Sequence, residues 1–416
     1  MALMKELRPT LPILIGAAVM LSLSGGIRQS FGLIMPPLTR DIAVSVSDFA
    51  LAMSVQNLAW GFLQPLAGAL AVRVGFRPVM LAGSFLYIAG TLTFALADGL
   101  PGVMLGAGVL IGMALACTAT AIALAVGSRA VPGRVRSLIL GAITASGSLG
   151  ALLSAPLGQF LAVDFGWRAG VLGFLLLALG MLPAAWIAGR VDRLPLPVGP
   201  AGLRQESAKA VLLRALRTPS FVVMTAAYFV CGMQLLFIAT HLPSYLAICG
   251  MDPALSAQAL AAIGLFNVFG GLFFGWAGGR WSKLGLLGGI YVARSIVLGW
   301  YFVLPPTPLG TLVFASAMGF LWLGVGPLVA GSVAEMFGLR WQAMIQGVAF
   351  MSHQLGSFLG AFGGGLLYER LGSYDLAWRL GVAIGLAAGI VQVGFALLRP
   401  PPPHMPVLET SAGSAR

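Results

Sequence analysis

From residue 11 to residue 398 the chain is a succession of twelve apolar runs, each about 20 residues or longer and set off by charges, glycines or prolines. The runs cover approximately residues 11–34, 49–71, 78–97, 102–126, 138–161, 168–188, 219–246, 256–278, 286–304, 309–331, 343–367 and 376–398. In lipid, a backbone of this kind satisfies its own polar groups only by closing into helices. The pattern therefore predicts an all-α membrane protein with twelve transmembrane helices. Composition excludes a soluble fold, since 59% of the residues are apolar and 9% are charged, against roughly 25% charged in an average soluble domain. The 57 glycines agree with this, because small residues let membrane helices approach closely. The first run exceeds a signal-peptide core and lacks a small-residue cleavage site followed by a polar chain, so it is expected to be retained as a helix.

Basic residues set the expected orientation. Of the 24 lysines and arginines, an inside amino terminus places eighteen in inner segments, among them Lys5, Arg8, Arg73, Arg77, Arg129, Arg134, Arg136, Arg190, Arg193 and Arg340. Only Arg40, Arg168, Arg370 and Arg379 fall outside. Both termini are accordingly expected in the cytoplasm, with the chain multi-pass in a bacterial inner membrane. The net charge of +12 is spread over loops as a topology signal, not gathered into a groove, which excludes nucleic acid as a partner. Cys117, Cys231 and Cys249 show no metal-ligand spacing and read as packing residues. No G-x-x-x-x-G-K-S loop is present either, so neither a metal, a cofactor nor ATP-driven or other enzymatic chemistry is expected.

Residues 189–218, with Pro195, Pro197 and Pro200 ahead of a basic stretch, form the one long linker and divide the chain into six-helix halves over 1–188 and 219–398. The tail, 399–416, with Pro400 to Pro403, reads as disordered and cytoplasmic. The halves repeat. An offset of 206 residues sets Gly26 on Gly232, Phe31 on Phe237, Pro37 on Pro243, Leu149 on Leu355, Gly150 on Gly356 and Gly158 on Gly364. Two parallel repeats about an axis along the membrane normal would place a site between them, near the midplane.

Helix two ends in Gly68-Ala69-Leu70-Ala71-Val72-Arg73-Val74-Gly75-Phe76-Arg77, which resembles the loop signature of the major facilitator superfamily. Helix five carries Ser146-Gly147-Ser148-Leu149-Gly150 and Ala155-Pro156-Leu157-Gly158, similar to that superfamily's glycine-proline signature. The resemblance spans residues 11–398 and implies two pseudo-symmetric bundles that rock about a central site. It implies conformational roles for Gly68, Arg73, Gly75, Arg77, Gly150, Pro156 and Gly158. The acidic position of the loop signature is Val72 here, which removes the carboxylate latch that the family uses to hold its outward-facing state. Gly25 to Gly32 and Ser352-His353-Gln354-Leu355-Gly356-Ser357 look most like the monocarboxylate transporter and oxalate/formate antiporter branch, which implies an organic-anion substrate.

The residues support an anion independently. Arg at a helix centre costs about 2.5 to 3.5 kcal/mol on insertion scales and is a functional hypothesis by default. Arg28, on a helix that lines the central cavity of the superfamily, is the first candidate, since its planar fork suits a carboxylate. Arg294 on peripheral helix nine is the second, with packing or snorkelling as its plainer reading. None of the 12 acidic residues falls mid-helix, so the substrate itself is expected to supply the missing negative charge. Proton coupling would then use the substrate's carboxyl group or a histidine, His241 or His353. Gln29, Gln56, Asn57, Gln64, Gln234, Asn267, Gln346 and Gln354 are the amides that either face the cavity or bond between helices. Phe31, Tyr228, Phe266 and Trp322 are candidates for its apolar wall. The expectation is a monomeric secondary transporter for a mono- or dicarboxylate, by proton coupling or anion exchange. The alternatives are an exporter of amphiphiles, in which Arg28 is structural, and a non-transporting membrane receptor.

Overall fold

The computed structural model describes residues 7–195 and 206–398. Lys5, Pro197, Pro200, Arg204 and the tail from Arg399 lie outside these residues. Among the described residues there are twelve helical spans: α1 (Leu11–Ser30), α2 (Val46–Val74), α3 (Phe76–Ala95), α4 (Leu100–Ala130), α5 (Gly133–Phe165), α6 (Trp167–Arg193), α7 (Pro219–Ile248), α8 (Pro253–Ala277), α9 (Lys283–Val303), α10 (Pro308–Phe337), α11 (Gln342–Phe358, running on through 359–371) and α12 (Asp375–Leu398). Ten of these are by themselves long and apolar enough to cross a bilayer. The two that fall short, α2 and α11, carry Gln56, Asn57 and Gln64, and Gln346, His353 and Gln354, so the least hydropathic spans are those with most to offer a polar site.

Several spans overrun the apolar runs that announce them: α5 begins at Gly133 and α10 ends at Phe337. Helical hydrogen bonding continues beyond the hydrocarbon until a terminator intervenes. At Gly75 and Gly166 that terminator is a glycine with φ of +95° and +87°, which turns the chain directly into the next helix. At the opposite end of α2 from Gly75, Ser45 and Asp48 form a reciprocal capping box at the helix start, each bond being 3.1 Å. The exterior is apolar, with Leu152, Leu153, Leu176 and Leu309 exposed, as a lipid-facing surface requires.

Each half is knit by the same crossing. In the first, α1 meets α5 where Gly150 faces the Ser22 carbonyl and Gly26 faces the backbone of Gly150. In the second, α7 meets α11 where Gly356 faces the Phe229 carbonyl and Gly232 faces that of His353. A methyl group at any of the four would collide with backbone, so these positions tolerate glycine alone. They are related by the 206-residue offset, which identifies the sequence repeat as a repeated helix crossing.

Between halves, α2 packs on α11 and α5 on α8. At the end where α1 begins and α12 finishes, called the inner end after the side expected from the basic residues, Gly68 abuts the backbone of Ala343 and Met344, and Gly141 abuts that of Gly271 and Gly275. Two turns further out along α8, a methyl group on Gly264 would meet nothing within 4 Å, and the same holds for Gly32 on the outer end of α1's extension. The halves are thus sealed at the inner end and diverge toward the outer one. A linker helix, Ala208–Arg217, joins them; it is capped by Ser207, buries Val211 and Ala215, and leaves Leu213 and Leu216 exposed.

Candidate functional site

The site grows from α1. Arg28 reaches across to α2, where its Nη2 donates to Asn57 Oδ1 at 2.5 Å and its guanidinium lies 5.2 Å from the centre of the Trp60 ring. From the other half, Gln354 on α11 donates to the Asn57 backbone carbonyl at 3.1 Å and also approaches the same Oδ1 at 3.4 Å. Asn57 therefore accepts from a cation on its own half and from an amide on the opposite half. Arg28, Gln354 and Asn57 converge because their helices meet at the interface and because Gly61, one turn along from Asn57, leaves room for the Gln354 side chain.

One helical turn inward, a row of rings crosses the interface. Trp60 meets Phe350 with centroids 4.6 Å apart, Phe350 stacks on His353 at 5.6 Å and 9°, and His353 meets Tyr228 of α7 at 4.6 Å. Arg28, Asn57, Trp60, Phe350 and His353 are all half-buried although they sit inside the bundle, so they border the space between the halves. Among the described residues no carboxylate lies within ion-pair distance of Arg28. Its Nε is buried without any hydrogen-bond partner. The guanidinium consequently keeps donor capacity and an uncompensated charge, the combination that favours an incoming anion. Trp60 and Phe350 were not singled out in the sequence. Their spacing was the available signal, three residues after Asn57 and four before Gln354, on the same helix faces.

The remaining polar residues lie elsewhere. Gln29 is exposed and donates to the Gly25 carbonyl of its own helix at 3.2 Å. Gln56 and Gln64 turn away from the interface to the Ala107 and Ala116 carbonyls of α4, at 2.7 and 2.8 Å. Gln234, which occupies the repeat position of Arg28, is buried within its own half and donates to Ser295 Oγ at 3.1 Å and the Gly381 carbonyl at 2.9 Å. Asn267 and Arg294 buttress a break in α10. There the helix is interrupted between Leu321 and Gly324; Asn267 Oδ1 accepts from Leu323 N at 3.2 Å, and Arg294 Nη2 donates to the Leu321 carbonyl at 2.6 Å. Arg294 Nη1 donates to Cys231 Sγ at 3.1 Å, and the side chain has no exposed surface. Backbone groups freed at membrane depth need such partners. Of the aromatic candidates, Tyr228 reaches the ring row, whereas Phe31 is packed inside the first half against Phe94 and Phe174.

The two histidines differ. His241 has both ring nitrogens engaged, Nε2 at 2.8 Å from the Ala361 carbonyl and Nδ1 at 3.1 Å from Tyr374 Oη. A carbonyl only accepts, so Nε2 carries a proton there. Ala361 lies in a π-helical turn, residues 359–363, whose widened backbone offers that carbonyl. His353 instead sits in the ring row, with Nδ1 at 3.2 Å from Gln354 Oε1, beside the Arg28–Asn57 pair.

The inner loop positions fall into place as well. Gly68 is at the seal and Arg73 is exposed. Gly75 faces the carboxylate of Asp192, which accepts from Phe76 N at 2.8 Å and Arg77 N at 2.9 Å and so caps α3. Arg77 lays its guanidinium 4.5 Å from the Trp186 ring centre. Val72 packs against the apolar core of the opposite half, and Gln342 Nε2 donates to Ser128 Oγ across the seal at 2.9 Å. Asp192 went unnoticed in the sequence because it lies in the last turn of α6, over a hundred residues from the helix start it caps. Gly158 is covered by the Phe174 ring, and Pro156 lies inside α5 with its side chain exposed.

A family model described as Major Facilitator Superfamily matches residues 17–361. Human monocarboxylate transporter 11 is 27% identical over 384 residues, which cover 89% of this chain and 80% of that protein. Bovine monocarboxylate transporter 13 is 25% identical over 374 residues, 88% of this chain and 85% of its own. The uncharacterized MFS-type transporter YcxA of Bacillus subtilis is 24% identical over 392 residues, 88% of this chain and 91% of that one. Among solved structures, the fucose:proton symporter FucP of E. coli superposes with a TM-score of 0.70 at 14% identity, covering 93% of this chain and 99% of that one. FucP in an outward conformation gives the same TM-score, 0.70, at 15% identity over 91% and 98% of the respective chains. The structural likeness shows the fold.

Proposed function

Because the chain belongs to the major facilitator superfamily, and is thus a multi-pass membrane transporter and not an enzyme, we propose that it carries a small organic anion by alternating access with Arg28 as the anchor. The observation that supports this is the guanidinium at the interface between the halves, with a buried unpartnered Nε and no acidic neighbour among the described residues. A carboxylate arriving there would take two parallel hydrogen bonds from the fork and neutralise a charge that the protein leaves bare. Relatives named monocarboxylate transporters are consistent with that substrate class.

Energetically the movement is secondary, driven by the gradient of the substrate or a coupled ion. Of the two histidines, His353 is the proton-coupling candidate, since it adjoins the anion's anchor while His241 is held by two partners. The inner seal and outer divergence of the halves correspond to the state that receives substrate from outside. Both termini belong on the cytoplasmic face of a bacterial inner membrane by the distribution of basic residues.

The test is counterflow in liposomes. Purified protein preloaded with an unlabelled carboxylate should draw in the labelled acid, and Arg28→Gln should abolish that uptake. Full uptake by the variant would return Arg28 to a structural role and favour the exporter of amphiphiles.

A further inference from the structure

Among the described residues, Arg28, Asn57, Gln354 and the rings of Trp60, Phe350, His353 and Tyr228 cluster where the halves meet. Arg28 is the cation of this cluster; the second intramembrane arginine, Arg294, also has an unpartnered Nε but holds its Nη atoms on Cys231 and Leu321 and has no exposed surface to offer a ligand. A second carboxylate on the substrate would find no partner. Both ends of the Gln354 amide are engaged, Nε2 on Asn57 and Oε1 on His353, and Asn57 Oδ1 accepts from Arg28. A polyhydroxylated body would have to break those bonds to use these groups. What remains partly exposed is ring surface: Trp60 and Phe350 pack on each other but stay half-buried where the halves meet, and half-buried His353 extends the row to buried Tyr228.

Resting on the anion reading above, we propose that the site selects a carboxylic acid with a single charge and a flat, conjugated body, its carboxylate on Arg28 and its ring against Trp60 and Phe350. A planar π-system gains from offset or edge-on contact with such rings beyond the gain from its buried area, whereas a puckered aliphatic ring of the same size does not. Trp60 belongs to the first half and Phe350 to the second, and the two rings are in contact, so a body lying across their shared edge touches both halves.

The experiment uses the full-length protein in detergent and a matched set of probes: benzoate, cyclohexanecarboxylate and terephthalate, with dissociation constants from calorimetry. Benzoate and cyclohexanecarboxylate share a carboxylate and a six-membered ring and differ in flatness and π-character. Benzoate should bind about three- to tenfold more tightly than cyclohexanecarboxylate, and terephthalate, with its second charge, more weakly than benzoate. In Trp60→Leu, and separately in Phe350→Leu, the benzoate to cyclohexanecarboxylate ratio should fall toward one; because it is a ratio within one protein, partial loss of folded material cancels. Equal affinities in the wild type, or a ratio unchanged in both variants, would overturn the aromatic preference and leave the Arg28 reading intact. Binding of the carboxylates that is undiminished in Arg28→Gln would remove that reading and this one with it.

Discussion

Replacing Arg28 with glutamine separates the anchoring role from a structural one, because the two roles predict opposite changes in the unliganded protein. Glutamine retains a donor for Asn57 Oδ1 but removes the charge. In the wild type that charge is half-buried, meets an amide and a ring, and has no carboxylate among the described residues within ion-pair distance. Its removal relieves a desolvation cost that no counter-charge offsets, so the empty variant should melt at the same temperature as the wild type or higher. With ligand the order reverses. Truncating one partner of a desolvated, hydrogen-bonded charge pair costs about 2–5 kcal/mol, or roughly 30- to 4,000-fold in affinity. A carboxylate present at 100 times its dissociation constant stabilises the wild type by about 2.7 kcal/mol. At the same concentration a thirtyfold weaker variant would gain only about 0.9 kcal/mol. The assay is thermal denaturation of both proteins in detergent, with and without a panel of acids. A variant that melts well below the wild type when empty, yet keeps the full ligand-induced shift, would show that the guanidinium serves only to tie α1 to α2.

Other substitutions test the surrounding framework. Arg294→Met should lower the melting temperature, since the Leu321 carbonyl at the α10 break loses its donor at a cost of about 1–3 kcal/mol, while the affinity for carboxylates is retained in titration. Gly68→Leu should prevent closure of the inner seal, because even a methyl there meets the Met344 backbone; cysteine labelling from the inner side should rise, and unchanged labelling would mean that the seal lies elsewhere. Outside the membrane, Asp41 accepts from Trp167 and Arg168, and these bonds hold its carboxyl below the usual range. A folded-state value depressed in this way gives stability that is present above about pH 3.9, the ordinary value for Asp, and is lost as pH falls through the lower folded one. The gap in melting temperature between the wild type and Asp41→Asn should accordingly be seen at neutral pH and narrow in acid below about pH 4.

The sequence carried the architecture because span length and spacing are one-dimensional properties. The 206-residue offset even picked out the glycines that make the α1–α5 and α7–α11 crossings, since only glycine fits those contacts. The orientation of the amides was another matter. A span apolar on nearly every side has no polar face to show which neighbour a lone polar residue meets, so Gln56, Gln234 and Asn267 looked as available as Asn57. The structure turns the first three into their own halves. Arg294 likewise found its role in a break within α10, which Gly324, Gly326 and Pro327 mark locally without showing which distant side chain would meet the freed Leu321 carbonyl. Asp192 capping α3 is a contact across the fold, beyond the reach of any local pattern.

Asn57 holds Arg28 from one side and Gln354 from the other through the same oxygen. An occupant that captures the guanidinium must compete for it with that oxygen, which is then freer to accept from Gln354 alone. On the anion proposal, loading and the contact between the two halves would thereby meet at a single atom, so an empty and a filled protein would rock at different rates without any further signalling element.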